Sequence, residues 1–304
     1  MTTVLFAMPG SEALGSQLQS ELQCDAGKLE IRRFPDQESC PRFFTSVSGR
    51  DVVLVCELDC PDGKILPMYL TACVARELGA RSVGLIIPYL PYMRQDDRFQ
   101  DGEGITSQHF ARLISSCCDW LLTVDPHLHR HRAMSEIYSV QASVVHAAPN
   151  VATWIAENVS NPVIFGPDAE SEQWVAEVAD LVDCPYAVLT KVRHGDLDVE
   201  VSIPDASFWV GMTPVLVDDI VSTARTLIAA SVQIELAGMC APVCVAVHPL
   251  FAGDAFIALR TRGIERIVSC NTVMHATNKI NLCKPIAVAV SEMLATFEAK
   301  PLLS

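Results

Sequence analysis

The sequence is short of basic residues, of aromatics and of long apolar runs, and each shortage closes a class of function. Lysine and arginine number 22 against 36 aspartates and glutamates in 304 residues, a formal net charge of −14. A surface of that sign repels a phosphate backbone, which argues against a nucleic-acid binder. Aromatic residues make up only 7% of the chain. No apolar stretch approaches the roughly 20 residues that a membrane-crossing helix needs. The opening MTTVLFAMPG has no basic start, and its apolar run is too short for a secretion signal. No two of the 12 cysteines stand at C-x₂-C spacing, and scattered thiols in a chain this long are not a disulfide framework. The expectation is a soluble, cytoplasmic protein with reduced thiols and with neither membrane nor nucleic acid among its partners.

What is present is apolar and periodic. Half of the residues are hydrophobic, enough for sizeable cores, and 304 residues exceed a usual single core. Strands are expected at Val4–Ala7, Val52–Cys56, Val83–Ile87, Leu121–Val124, Val163–Phe165, Val215–Val217, Val243–Val247 and Ile267–Ser269. Between them, amphipathic runs predict helices over Ser11–Leu22, Ile65–Leu78, Ser107–Cys117, Val151–Glu157, Glu170–Leu181, Leu227–Leu236 and Asp254–Arg262. Strands alternating with helices specify βαβ units and a mostly parallel sheet. The fold class is therefore α/β, in two doubly wound domains with helices flanking each sheet. The break falls near Ala147–Asn161, giving halves of 1–147 and 148–304. The last run, Ile286–Phe297, suits either strand or helix, and its packing is open.

Three stretches carry chemistry. In Val215–Leu227, VLVDDIVSTARTL, an apolar strand ends in Asp218 and Asp219, and Ser222, Thr223 and Thr226 follow before a helix. Free N–H groups at a helix start bind phosphate, and hydroxyl donors add to them. Paired carboxylates at a strand end hold sugar hydroxyls or a divalent cation. A phosphorylated sugar is the ligand this suggests, although the same residues also serve as simple helix caps. In Pro88–Gln108, PYLPYMRQDDRFQDGEGITSQ, a buried strand leads into Arg94, Gln95, Asp96, Asp97 and Arg98. That is a ligand loop of a doubly wound fold or a solvated charged loop. Finally His127, His129 and His131 alternate and would share one side of an extended segment, a pattern also compatible with a zinc hydrolase.

Taken in order, these stretches resemble the ribose-phosphate pyrophosphokinase family. VLVDDIVSTARTL is similar to the ribose-phosphate loop shared with phosphoribosyltransferases, with Arg225 where a Gly is usual. Arg94, Gln95, Asp96, Ile105 and Thr106 match the family's ATP-binding signature, which ordinary phosphoribosyltransferases lack, with Met93 for the usual Ala. RFPDQE, Arg33–Glu38, resembles the family's Phe-x-Asp-Gly-Glu loop, with Gln37 for Gly. VDPHL resembles its Asp-Leu-His segment, FGPDAE its Pro-Asp segment, and TKVRHGDLD its catalytic loop. The resemblance spans roughly Phe34 to Asn281 and leans toward the archaeal-type members.

The resemblance implies two tandem phosphoribosyltransferase-like domains, the first carrying ATP-binding elements and the second the ribose 5-phosphate and catalytic loops. It implies transfer of the β,γ-diphosphate of ATP to the anomeric hydroxyl of ribose 5-phosphate, giving 5-phosphoribosyl 1-diphosphate and AMP, with Mg²⁺ as cofactor. Lys191 and Arg193 are then catalytic. Phe34, Asp36, Glu38, Arg94, Gln95 and Asp96 bind ATP. Asp218, Asp219, Ser222, Thr223, Ala224, Arg225 and Thr226 bind ribose 5-phosphate, and His127 and Asp168 bind metal. Because the Phe34 loop of the family reaches across a subunit interface, a homo-oligomer is implied. A phosphoribosyltransferase that uses the diphosphate, and a non-catalytic regulatory relative, are the alternatives.

Overall fold

The computed structural model describes residues 3–193, 199–202 and 206–298, with backbone alone over 190–193, 199–202, 206–207 and 297–298. It falls into a first unit that runs to Val145 and resumes at Cys283, and a second from His146 to Leu282.

The first unit opens with β1 (Thr3–Ala7), α1 (Glu12–Leu22) and β2 (Asp25–Ala26). A hairpin follows, β3 (Leu29–Arg33) and β4 (Ser39–Phe43), and then β5 (Asp51–Val55), α2 (Asp62–Glu77), β6 (Ser82–Ile86), α3 (Thr106–Cys117), β7 (Trp120–Val124) and β8 (Gln141–Val145). The six strands other than the hairpin form one sheet in the order β2-β1-β5-β6-β7-β8, every pair parallel. Val52 to Val55 are fully buried, as a central parallel strand covered on both faces must be. Asp51, buried at the start of β5, accepts hydrogen bonds from Arg81 Nε at 2.8 Å and Ser82 Oγ at 2.7 Å. Its charge is thereby compensated. Gly84 is required by packing: a Cβ there would lie 2.0 Å from the ring of Trp120, its partner on β7.

The second unit repeats that plan. It contains α4 (Ala148–Asn158), β9 (Pro162–Gly166), α5 (Glu172–Val182), β10 (Tyr186–Val188), and a hairpin of β11 (Thr190–Arg193) and β12 (Val199–Ser202). Then come β13 (Thr213–Val221), α6 (Arg225–Leu236), β14 (Val243–Pro249), α7 (Ala255–Thr261), β15 (Ile267–Cys270) and β16 (Asn278–Ile280). The sheet order is β10-β9-β13-β14-β15-β16, again all parallel. In both units the second strand of the sheet pairs outside the first, the third pairs on its other side, and an antiparallel hairpin sits between second and third. No sequence repeat announces this; the topology does.

The final run is a helix, α8 (Cys283–Glu298), and it packs on α1, β7 and β8. Its apolar face, Ile286, Val290 and Met293, is buried there. This corrects a simple split at 147/148, because the last helix completes the first unit. Among the described residues no helix is long and apolar enough to cross a membrane.

Candidate active site

In an open parallel sheet, ligands bind outside the strand ends where the strand order reverses. In the second unit that place lies between β9 and β13. Asp168 follows β9, and Asp218 and Asp219 lie within β13, which runs to Val221 instead of stopping at Val217. The carboxylates interact: burial, then the charges of Asp219 and Asp168, push the Asp218 carboxyl well above its ordinary value. Three acids gathered at adjacent strand ends are costly without a cation or a hydrogen-bonding ligand. Asp219 Oδ1 accepts from the N–H of Ile220 at 2.7 Å.

The chain then turns through Ser222 and Thr223 into α6. Ala224 takes a left-handed conformation at φ +59° and is buried, while Arg225 begins the helix with an exposed side chain. The turn is pinned from β14's far end, where Phe251 N–H donates to Val221 O at 2.9 Å and Ala252 N–H to Ser222 O at 3.0 Å. Ser222 and Thr223 thus lie in the turn that opens α6 and Thr226 in its first turn, directly after Asp218 and Asp219 in the chain. Lys191 and Arg193 lie on β11, paired to Val201 and Val199 of β12, and their side chains lie outside the described residues.

The first unit gathers its predicted residues differently. Phe34, Asp36 and Glu38 form the tip of the β3–β4 hairpin, closed by Phe34 N–H to Glu38 O at 2.9 Å and Gln37 N–H to Phe34 O at 2.8 Å. Phe34 is 37% exposed, with the Arg32 guanidinium 4.3 Å from its ring centroid. Arg94 and Gln95 are exposed on the loop after β6, while Asp96 is buried. Two backbone bonds fix that loop: Gln95 N–H donates to Tyr92 O at 3.0 Å, and Gln95 O accepts from Ser107 N–H at 3.2 Å. The Tyr92 hydroxyl is also bound to Asp62 at the start of α2. Burial and that carboxylate raise its pKa to about 12.

His127 follows β7, its ring 4.0 Å from that of His129 in an edge-on contact. The segment does not stay extended as far as His131, so the three histidines do not share one side. His131 N–H closes a turn onto Leu128 O at 3.0 Å, and His131 Nδ1 lies 3.3 Å from Glu136 Oε2. A residue that pattern reading missed sits in this turn. Arg130 reaches Asp96 at 3.4 Å and Asp97 at 3.2 Å. Nothing in the spacing marks it, since a lone arginine in a polar loop is ordinary.

Known proteins resemble this chain over nearly all of its length. The model of the N-terminal domain of ribose phosphate pyrophosphokinase matches residues 3–117, and that of the phosphoribosyl transferase domain matches residues 133–269. A ribose-phosphate pyrophosphokinase of Methanopyrus kandleri is 31% identical over 292 residues, 95% of this chain and 99% of the relative. The chain belongs to the ribose-phosphate pyrophosphokinase family. A Halobacterium salinarum member is 31% identical over 289 residues, covering 94% of this chain and all of the relative. The fold agrees as well. The crystal structure of phosphoribosylpyrophosphate synthetase from Mycobacterium smegmatis overlays with a TM-score of 0.86, over 97% of this chain and all of the other, at 21% identity.

The departures from the family pattern now have a physical reading. Gln37, where the family's loop has Gly, holds φ +74°, a left-handed conformation that favours glycine. Arg225, in the position of another Gly, is helical and turned to solvent, and the left-handed residue is Ala224 before it. Crowding by Arg225 is therefore not imposed by its backbone. Met93, in place of Ala, is buried with its sulfur 3.7 Å from the Tyr138 hydroxyl, so the larger side chain serves the core.

Proposed function

We propose that this family member catalyses diphosphoryl transfer from ATP to ribose 5-phosphate. The observation that carries the reading is the acidic crevice of the second unit, with Asp168, Asp218 and Asp219 beside the Ser222–Thr226 helix start. The anomeric hydroxyl attacks the β-phosphorus, the bond from that phosphorus to the oxygen bridging to the α-phosphate breaks, and AMP leaves with that oxygen. The hydroxyl proton is lost to solvent or to a nearby base. Little covalent chemistry falls to the protein, which must align the attacking and leaving oxygens and stabilise charge.

Asp218 and Asp219 hold the ribose hydroxyls, and the hydroxyls and N–H groups from Ser222 to Thr226 receive the 5-phosphate. Lys191 and Arg193 place positive charge on the transferring phosphates. Arg94, Gln95 and Asp96 position the nucleotide, and Phe34, Asp36 and Glu38 offer an exposed face for adenine. Hard oxygen donors suit Mg²⁺, and the raised Asp218 pKa marks negative charge that a divalent ion relieves. Asp168 is the residue that would hold such an ion in the second unit, and His127 the one that would hold the ion accompanying ATP; bound there, it would neutralise phosphate charge.

The exposed tip of the β3–β4 hairpin supports a homo-oligomer in which Phe34 serves a neighbouring copy. Cysteines spread over both units with no disulfide among the described residues support a reducing, cytoplasmic setting. The test is ³¹P NMR of the protein with MgATP and ribose 5-phosphate. A new sugar-linked diphosphate with equal AMP is expected. ADP with inorganic phosphate would replace the reading with ATP hydrolysis, and no turnover by folded protein would make this a regulatory member.

A further inference from the structure

Two loops of the first unit are joined by one side chain. Asp96, on the loop after β6, keeps only 6% of its side chain exposed, and a carboxylate so placed needs a cation. That cation comes from the loop after β7. Arg130 Nε lies 3.4 Å from Asp96 Oδ1, its Nη1 lies 3.2 Å from Asp97 Oδ2, and its guanidinium lies 5.9 Å from the Phe99 ring centroid. Two adjacent carboxylates are met by separate nitrogens of one planar group, which a single ammonium cannot reproduce.

The loop that carries Arg130 is anchored at its other end. Glu136 Oε2 accepts from the N–H of Arg132 at 3.3 Å and meets His131 Nδ1 at the same distance. His127 and His129 lie on the segment leading into this turn. The loop after β6 is held in turn by Gln95 on Tyr92 and Ser107, as described above. Arg130 is an ionic link between the loop that carries His127 and the Arg94–Asp96 stretch. It also offsets two carboxylates that would repel an incoming triphosphate, in a chain of net charge −14.

We propose that Arg130 is a positioning residue for the nucleotide, acting through Asp96 and Asp97 to hold the two loops in register. The inference rests on the reading of these loops as the ATP site. It assigns Arg130 a task distinct from the groups that touch ATP.

The test is calorimetric titration of MgATP, and separately of ribose 5-phosphate, into the full-length protein and three variants. Arg130→Ala leaves the buried Asp96 carboxylate without its cation, although Arg130 itself is half exposed, and should weaken MgATP binding about tenfold while leaving ribose 5-phosphate binding within about twofold. Arg130→Lys, which keeps charge without the fork, should regain only part of that loss. His127→Ala serves as the reference for the site itself. If His127→Ala weakens MgATP and Arg130→Ala does not, the proposal is overturned and the site reading stands. A variant Arg130→Ala with a lower melting temperature and unchanged MgATP affinity would make the link merely structural, also overturning it. Failure of the wild-type protein to bind MgATP would remove the site and the proposal together.

Discussion

The two units share one strand order and use it for different ends. At the reversal point of the second, β13 delivers Asp218 and Asp219, and a Ser/Thr turn opens α6. At the same point of the first, β5 delivers Cys56 and Glu57, then Leu58, and Pro61 precedes α2. The crevice there is a cavity of about 290 Å³ whose walls include Met8, Leu58, Pro67 and Met68. Lys64, at its edge, is committed to Asp59 and to the Glu57 carbonyl. A sugar phosphate has no hydroxyl-rich helix start to meet. On the function proposed above, the chemistry of the first unit lies elsewhere: at the hairpin tip and on the loops after β6 and β7. The fold therefore fixes where a ligand can sit, and the side chains decide which of the equivalent places is used.

The hairpins sharpen this contrast, since both follow the second strand of their sheet. If β11–β12 carries transition-state charge, Lys191→Ala should lower kcat by roughly 10²–10³, as loss of one well-placed donor typically does. Ribose 5-phosphate affinity, read by calorimetry, should stay within about twofold; a large loss of affinity with kcat intact would contradict the role. The β3–β4 hairpin should behave oppositely. Phe34→Ala removes an exposed ring and is expected to raise the KM for MgATP roughly tenfold, about 1.4 kcal/mol, with kcat nearly unchanged. A kcat effect as large as that of Lys191→Ala would erase the distinction between the hairpins.

How far the sequence reveals this depends on burial. Central strands such as Val52–Val55 and Val215–Val217 are continuous apolar runs, and they were legible because both faces are covered. The edge strands were not. β2 is Asp25–Ala26 with both residues exposed, and β3 is exposed at Glu30, Arg32 and Arg33, so neither shows a buried periodicity. The Asp218–Thr226 stretch was legible as local chemistry, whereas its closeness to Asp168 depends on β9 pairing with β13. Arg130 was invisible for the same reason, because its partners stand more than thirty residues away on another loop. Alternation puts histidines on one face only where the segment stays extended; the rings of His127 and His129 do meet, whereas His131 sits in a turn.

The acidic crevice should also betray its purpose through stability. Burial and two neighbouring carboxylates raise the Asp218 pKa in the folded protein, so between the unfolded value and that raised value the native state binds more protons. Stability contributed by this group is then present at low pH and is lost as pH rises through that window. Asp218→Asn should abolish efficient ribose 5-phosphate use while raising the melting temperature at pH 8 by a few degrees, on the order of 1 kcal/mol. The gain should shrink as the pH is lowered toward 4. An Asn variant less stable than wild type at pH 8 would mean that the charge is compensated within the free protein.

The smallest expected effect tests the silent crevice of the first unit. Gly63 lines the cavity at the start of α2, and a Cβ placed on it would meet nothing within 4 Å. Gly63→Leu should therefore fill open space, and it replaces a poor helix former with a good one, a gain of up to about 0.8 kcal/mol. The backbone need not move, so the Gly63 carbonyl can keep its contact with Arg33 Nη2 at 3.5 Å. The expected outcome is a melting temperature higher by about 2–4 °C or less, with kcat and both KM values unchanged. If activity fell while the fold held, the apolar crevice would itself take part in the reaction or its control. The two units would then divide the chemistry between two reversal points instead of concentrating the sugar phosphate at one.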